Sequence, residues 1–139
     1  MNRKRTSVAQ ASKRAPADGR ATEITAAMDA LVHGYRTESE LYTRVRKLTW
    51  SQRYTLREGW NLDRFRDLLD EKEDLLRMIG QIESELKGAK SLVLSRTPSQ
   101  CPDRWKLETL LDRLTATIEE IRVVESANAS LLEGALAAG

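Results

Sequence analysis

The chain has one cysteine, one histidine, one phenylalanine and three prolines in 139 residues, and aromatic residues make up only 5% of it. Each scarcity excludes something. A lone Cys101 cannot build an internal disulfide framework and fits a reducing compartment. His33 and Cys101 are the only soft metal ligands, and neither has a partner at ligand spacing, so no zinc site is expected. No apolar run reaches the roughly 18 residues that a membrane-spanning helix needs. The N-terminus is basic but lacks the apolar core of a secretory signal, so a cytoplasmic chain is expected. No glycine-rich phosphate loop and no G-x-S-x-G elbow is present. The E-x-x-H pair of di-iron bundle enzymes is absent as well. Neither an enzyme nor a cofactor is expected.

What the chain has in abundance is charge, 32% of its residues, unevenly placed. Residues 1–20 hold six basic side chains and one acid, a net +5, which leaves 17 basic and 20 acidic residues, −3, for residues 21–139. The first segment has almost no large apolar side chain and cannot offset its ordering entropy, so a disordered basic tail is expected there. Its charges without aromatics read as a solubilising leader, and no nucleic acid partner or stable membrane insertion is expected.

Beyond residue 20 the apolar residues recur at helical spacing in three long stretches. The first, about residues 22–58, carries Ile24, Met28, Leu31, Tyr35, Tyr42, Val45, Leu48 and Leu56. Its phase stays constant across Gly34, so one continuous helix is expected. Gly59 suits the position after a helix and Asn61 suits an N-cap, so the chain turns back at once. The second stretch, about residues 62–94, has Leu62, Phe65, Leu69, Leu76, Ile79, Ile82 and Leu86 on its spine. Asp70, Glu71, Glu73 and Asp74 interleave there with Lys72 and Arg77, which reads as a solvated, ion-paired face. Pro98 and Pro102 make the second break. The third stretch, about residues 103–133, places Leu107, Leu110, Leu111, Leu114, Ile118, Ile121, Val124, Asn128, Leu131 and Leu132 on one stripe, and Gly134 closes it before a frayed tail over residues 135–139.

The expected fold is therefore all-α: an elongated antiparallel three-helix bundle, or coiled-coil hairpin, over residues 21–134. At about 1.5 Å per residue its helices are roughly 45–55 Å long. Trp60 and Trp105, at opposite helix starts, are expected to plug the bundle ends, and Trp50 to lie in the core or an interface. Glu38, Gln52, Glu125 and Asn128 are polar residues on the seams. Such residues fix register or oligomer state, or meet a partner directly. The doubled leucines Leu110/Leu111 and Leu131/Leu132 widen the third stripe, where a dimer partner or a client helix would lie.

The order of these features resembles the FlgN-type flagellar export chaperones. Gln52-x-x-x-Leu56-x-x-Gly59 precedes Leu62-x-x-Phe65-x-x-Leu68-Leu69-x-x-Lys72-Glu73-x-Leu75-Leu76-x-x-Ile79, and the last helix carries Ile118-x-x-Ile121-x-x-x-Glu125-x-x-Asn128-x-x-Leu131-Leu132. The resemblance spans about residues 24–134, with Asn61 where the family often has Asp and a basic tail outside its pattern. It implies a cytoplasmic chaperone of type III protein export. Such a chaperone holds the C-terminal helical segments of hook–filament junction proteins of the FlgK and FlgL type and delivers them to the flagellar export apparatus. By the same resemblance the client-binding element is the third helix, with Ile118, Ile121, Val124, Asn128, Leu131 and Leu132 as its contact residues. The alternative is a structural coiled-coil protein that only self-associates, as a homodimer, without a client.

Overall fold

The computed structural model describes residues 2–138, with side chains from Gly19 onward except Arg20. The disordered tail expected over residues 1–20 falls on residues whose side chains lie outside this description. Three helices, α1 (Asn2–Tyr54), α2 (Leu62–Leu94) and α3 (Arg104–Ala138), account for nearly all of the described chain, and no strand is present among the described residues. The fold is all-α, as the periodicity indicates.

α1 is continuous through Gly34, and among its described side chains the first buried one is Ile24. The reason for a glycine at position 34 lies across the interface. A Cβ there would stand 2.5 Å from Leu86 Cδ1 and 3.1 Å from its Cγ, so the α2 leucine occupies the space of the missing side chain. A five-residue π-helical turn, Thr55–Gly59, ends α1 four residues before the expected boundary. The left-handed residue that follows is Trp60 (φ 44°, ψ 48°), and no glycine has positive φ. The turn residue is thus one position later than Gly59 suggests. Asn61 then caps α2 as expected, its side-chain oxygen accepting from the Arg64 backbone N–H at 3.0 Å.

The second break contains a 3₁₀ turn, Pro98–Gln100, held by Gln100 Oε1 accepting from the Thr97 N–H at 2.9 Å. α3 runs through Gly134 to Ala138, so the frayed tail expected from residue 135 is helical as far as it is described. A small residue alone does not end a helix whose neighbours, Ala135, Leu136, Ala137 and Ala138, are strong helix formers.

Two apolar clusters run along the rod. Ile24, Met28, Leu31 and Tyr35 of α1 pack with Leu86 and Val93 of α2 and with Leu107 and Leu114 of α3. Further along, Leu41 and Val45 meet Leu75, Ile79 and Ile121. α2 therefore runs antiparallel to α1, and α3 runs parallel to it. Leu107, Leu114, Ile121 and Asn128, all buried, repeat every seven residues, the period of a left-handed supercoiled seam. α1 packs extensively against both other helices, whereas α2 and α3 meet each other only sparsely. α1 is thus the spine, and the backbones of α2 and α3 approach each other less closely than either approaches α1.

Gly80 is exposed with open space around its Cα, in contrast to Gly34. Gly80→Ala should raise the unfolding free energy by about 1 kcal/mol through helix propensity. Gly34→Ala gains the same term, but crowding Leu86 costs about 1–3 kcal/mol, so its net effect is a loss. Urea unfolding midpoints of the two variants on either side of the parent's are the expected outcome.

Candidate functional site

The polar residues flagged on the seams converge on one buried junction. Lys72 is only 2% exposed, although it sits in the most highly charged stretch of the chain. Its Nζ donates to Gln52 Oε1 of α1 at 2.8 Å and to Glu125 Oε2 of α3 at 2.8 Å. The ammonium therefore joins all three helices, and among the described residues it makes the one hydrogen bond between α2 and α3. One turn away, buried Asn128 donates through Nδ2 to the Thr49 carbonyl at 3.1 Å, and Thr49 Oγ1 donates to the Val45 carbonyl at 2.8 Å. Asn128 Oδ1 is buried with no hydrogen-bond partner.

The burial of Lys72 corrects two readings of the sequence. Lys72 is part of the core, and it belongs to no solvated face. The first half of the α2 spine is also displaced by one residue: Leu68 and Leu75 are buried, whereas Leu69 and Leu76 are 39% and 43% exposed; Ile79 and Leu86 are buried where the sequence places them. The leucine doublets offer two seams one residue apart. Lys72 is at helical spacing from both, and the seam on Leu68 and Leu75 is the one that continues at seven-residue steps into Ile82 and Ala89, whereas Leu69 and Leu76 continue into Glu83 and Lys90.

A second polar cluster lies farther along the rod. Glu38 is 1% exposed and its Oε2 has no partner as a carboxylate. Burial first, then a hydrogen bond to Glu83 and that group's charge, push its pKa up to about 8. Burial alone would also raise the Glu83 carboxyl. Hydrogen bonds from Lys90 and from protonated Glu38, with the Lys90 charge, outweigh it and hold Glu83 below the usual carboxylate range. Lys90 lies 2.9 Å from Glu83, and its pKa is raised by that hydrogen bond and one to Tyr35, whose ring it overlies at 5.8 Å. Burial, then the two carboxylates, raises the Tyr42 phenol. A shared proton between Glu38 and Glu83 stabilises this arrangement near neutral pH.

The six residues expected on the client-binding helix do not share one surface. Ile121, Val124 and Asn128 are buried, and Ile118 and Leu132 are half-buried. Leu131 alone is exposed, at 37%. Ile121 and Asn128 are engaged by α1. Ile118 and Leu132 lie seven residues either side of Glu125, so they share the face of α3 that meets Lys72. Leu69 and Leu76 flank Lys72 at helical spacing on α2. The structure thus brings together a set that includes α2 residues absent from the third-helix reading. Their signal in the sequence is the heptad Leu62, Leu69, Leu76, all exposed. The tryptophans are also more open than expected: Trp50, Trp60 and Trp105 are 47%, 37% and 64% exposed.

Among the described residues no group of His, Cys, Asp and Glu is arranged to hold a metal ion, and no helix is long and apolar enough to cross a membrane. The hollow lined by His33, Arg36, Asp29 and Lys106, between α1 and the start of α3, measures about 350 Å³ and mixes both signs of charge.

Two substitutions test these clusters. Lys72→Ala leaves Gln52 buried without its donor, while Glu125, about half exposed, can rehydrate. A loss of about 2 kcal/mol is expected, below the 3–5 kcal/mol of a fully buried broken pair. Lys72→Met combined with Gln52→Leu should recover most of it in thermal unfolding. For Glu38, a folded-state pKa raised from 4.5 to about 8 gives stability that is complete below pH 4.5 and is lost as pH rises through 8. Glu83 acts in the opposite sense, its stability being lost as pH falls through its lowered pKa. Between these limits the Glu38 effect governs, with a slope of at most about 1.4 kcal/mol per pH unit. Unfolding free energy should fall from pH 5 to pH 8, and Glu38→Gln should flatten that fall.

In comparisons with known proteins, no family model, curated protein or solved structure matches this chain.

Proposed function

We propose that this chain is a helix-binding export chaperone of the FlgN type, one that holds the C-terminal helical segments of hook–filament junction proteins until they reach the flagellar export apparatus. The observation that carries the reading is the seam between α2 and α3. The two helices meet sparsely, and apolar side chains border the seam on both sides. A client helix with apolar anchors at i, i+3, i+4 and i+7 would lie along it, covering Leu69 and Leu76 on one wall and Ile118 and Leu132 on the other. This relocates the contact. Ile121, Val124 and Asn128 support α3 from behind, against α1, and Ile118 and Leu132 touch the client.

A helix laid in this seam gains affinity from apolar burial at about 25 cal/mol per Å² of area removed from water, before ordering costs. Glu125, half exposed at mid-seam beside buried Lys72, offers a polar contact that would fix the client's register. Cytoplasmic residence is part of the same proposal.

Self-association through this seam is the second reading, favoured by the exposed heptad Leu62, Leu69 and Leu76. Sedimentation with and without a junction-protein C-terminal segment separates the two. A chaperone gives a monomer that forms a 1:1 complex. Leu69→Asp together with Leu132→Asp should weaken that complex at least about tenfold, with helicity retained. A constitutive dimer that ignores the segment would reject the chaperone reading.

A further inference from the structure

Between Glu40 and Glu58 the chain holds five basic residues and no acidic one, although residues 21–139 as a whole are net negative. Arg46, Trp50, Arg53 and Arg57 follow one another at steps of three and four, Tyr54 stands four residues after Trp50, and Lys47 lies beside them, so they form one face of the end of α1 and the π-helical turn that follows it. That face points away from the core residues Val45, Thr49 and Gln52. Trp50 and Tyr54 are 47% and 70% exposed on it. Trp50, Arg53, Tyr54, Arg57 and Glu58 enclose a hollow of about 160 Å³, room for one apolar side chain.

Two contacts hold this surface in shape from α3. The Trp50 indole N–H donates to Glu120 Oε2 at 3.1 Å, and Arg46 Nε lies 3.6 Å from the same oxygen. The indole is therefore fixed in orientation while nearly half of its area stays in water. Arg, Trp and Tyr, fixed around a hollow and ringed by charge, are the residue types that dominate binding energy at protein interfaces.

We infer that this basic–aromatic face of α1 is a second docking surface, for an acidic segment of a partner protein that inserts one apolar side chain between Trp50 and Tyr54. The charge balance selects the partner. Arg46, Lys47, Arg53 and Arg57 attract carboxylates, while Glu58 and Glu120, set among them, oppose a continuous row of phosphates. The hollow takes one anchor and has no platform for successive stacked bases. The face is separate from the α2–α3 seam, and the inference does not depend on the client reading.

The test uses the full chain and a fluorescent helical peptide carrying Glu with Leu at i, i+4 spacing. Binding in about the micromolar range, weakening as salt is raised, is expected. Arg53→Glu with Arg57→Glu should weaken it at least about tenfold, and so should Trp50→Ala. Circular dichroism should show unchanged helicity in both variants. Leu69→Asp, on the client seam, should leave peptide binding intact. The proposal is overturned if the peptide does not bind, or binds equally well to the charge-reversed variant. It is also overturned if oligothymidylate or vesicles containing phosphatidylglycerol bind the same residues more tightly. A parent protein that self-associates through Arg53 and Arg57 overturns it too.

Discussion

An ammonium taken out of water must find oxygen partners for its protons, because leaving a buried charge unpaired costs several kcal/mol. Lys72 finds two such oxygens, one on each neighbouring helix. Sliding α2 by a single residue would move Lys72 off the seam, away from Gln52 and Glu125. The doublets Leu68/Leu69 and Leu75/Leu76 would serve either alignment, but Ile79, Ile82 and Leu86 are followed by Gly80, Glu83 and Lys87, so the later turns of α2 select the same register through their apolar residues. The buried charge reinforces that choice where the leucine doublets leave it open, the role that polar core residues play in coiled coils. With the register set, Leu69 and Leu76 are left outside, beside the seam with α3.

The division of labour among the helices follows. α1 buries residues from Ile24 to Gln52 and packs against both partners. α2 and α3 each give one face to α1, and the faces they turn toward each other are joined by the hydrogen bond from Lys72 to Glu125. The Glu38–Glu83–Lys90 cluster adds a second polar tie, between α1 and α2, whose protonation state is coupled to folding. Gly34 completes the α1–α2 contact by admitting Leu86 to the helix backbone. Two polar junctions and one close approach thus pin α2 along its length.

Helix number, helix order and most of the α1 and α3 seams were legible in the sequence, because the steps Ile24, Met28, Leu31 and Leu107, Leu114, Ile121 admit one phase only. The N-cap at Asn61 was legible for a similar reason: its side chain makes a local bond that needs no tertiary context. The first half of the α2 seam was not. Hydrophobic periodicity gives Lys72 to solvent, and its burial depends on two residues 20 positions earlier and 53 positions later. The left-handed turn residue was missed because a glycine stood one position away from the residue that adopts the conformation. The candidate contact residues were half legible. Sequence finds the α3 stripe, but which part of it faces α1 depends on where α2 sits. The basic–aromatic face of α1 was present as a charge run, yet its meaning depends on Trp50 and Tyr54 lying outside the core.

The measurement that bears most directly on the Lys72 register is native-state thiol labelling of four single-cysteine variants, Leu68→Cys, Leu69→Cys, Leu75→Cys and Leu76→Cys, with buried Cys101 replaced by serine in each. Fast labelling at positions 69 and 76, with protection at 68 and 75, is the expected result. Protection at 69 and 76 with fast labelling at 68 and 75 would put the other leucine pair in the seam and contradict the register assigned to α2.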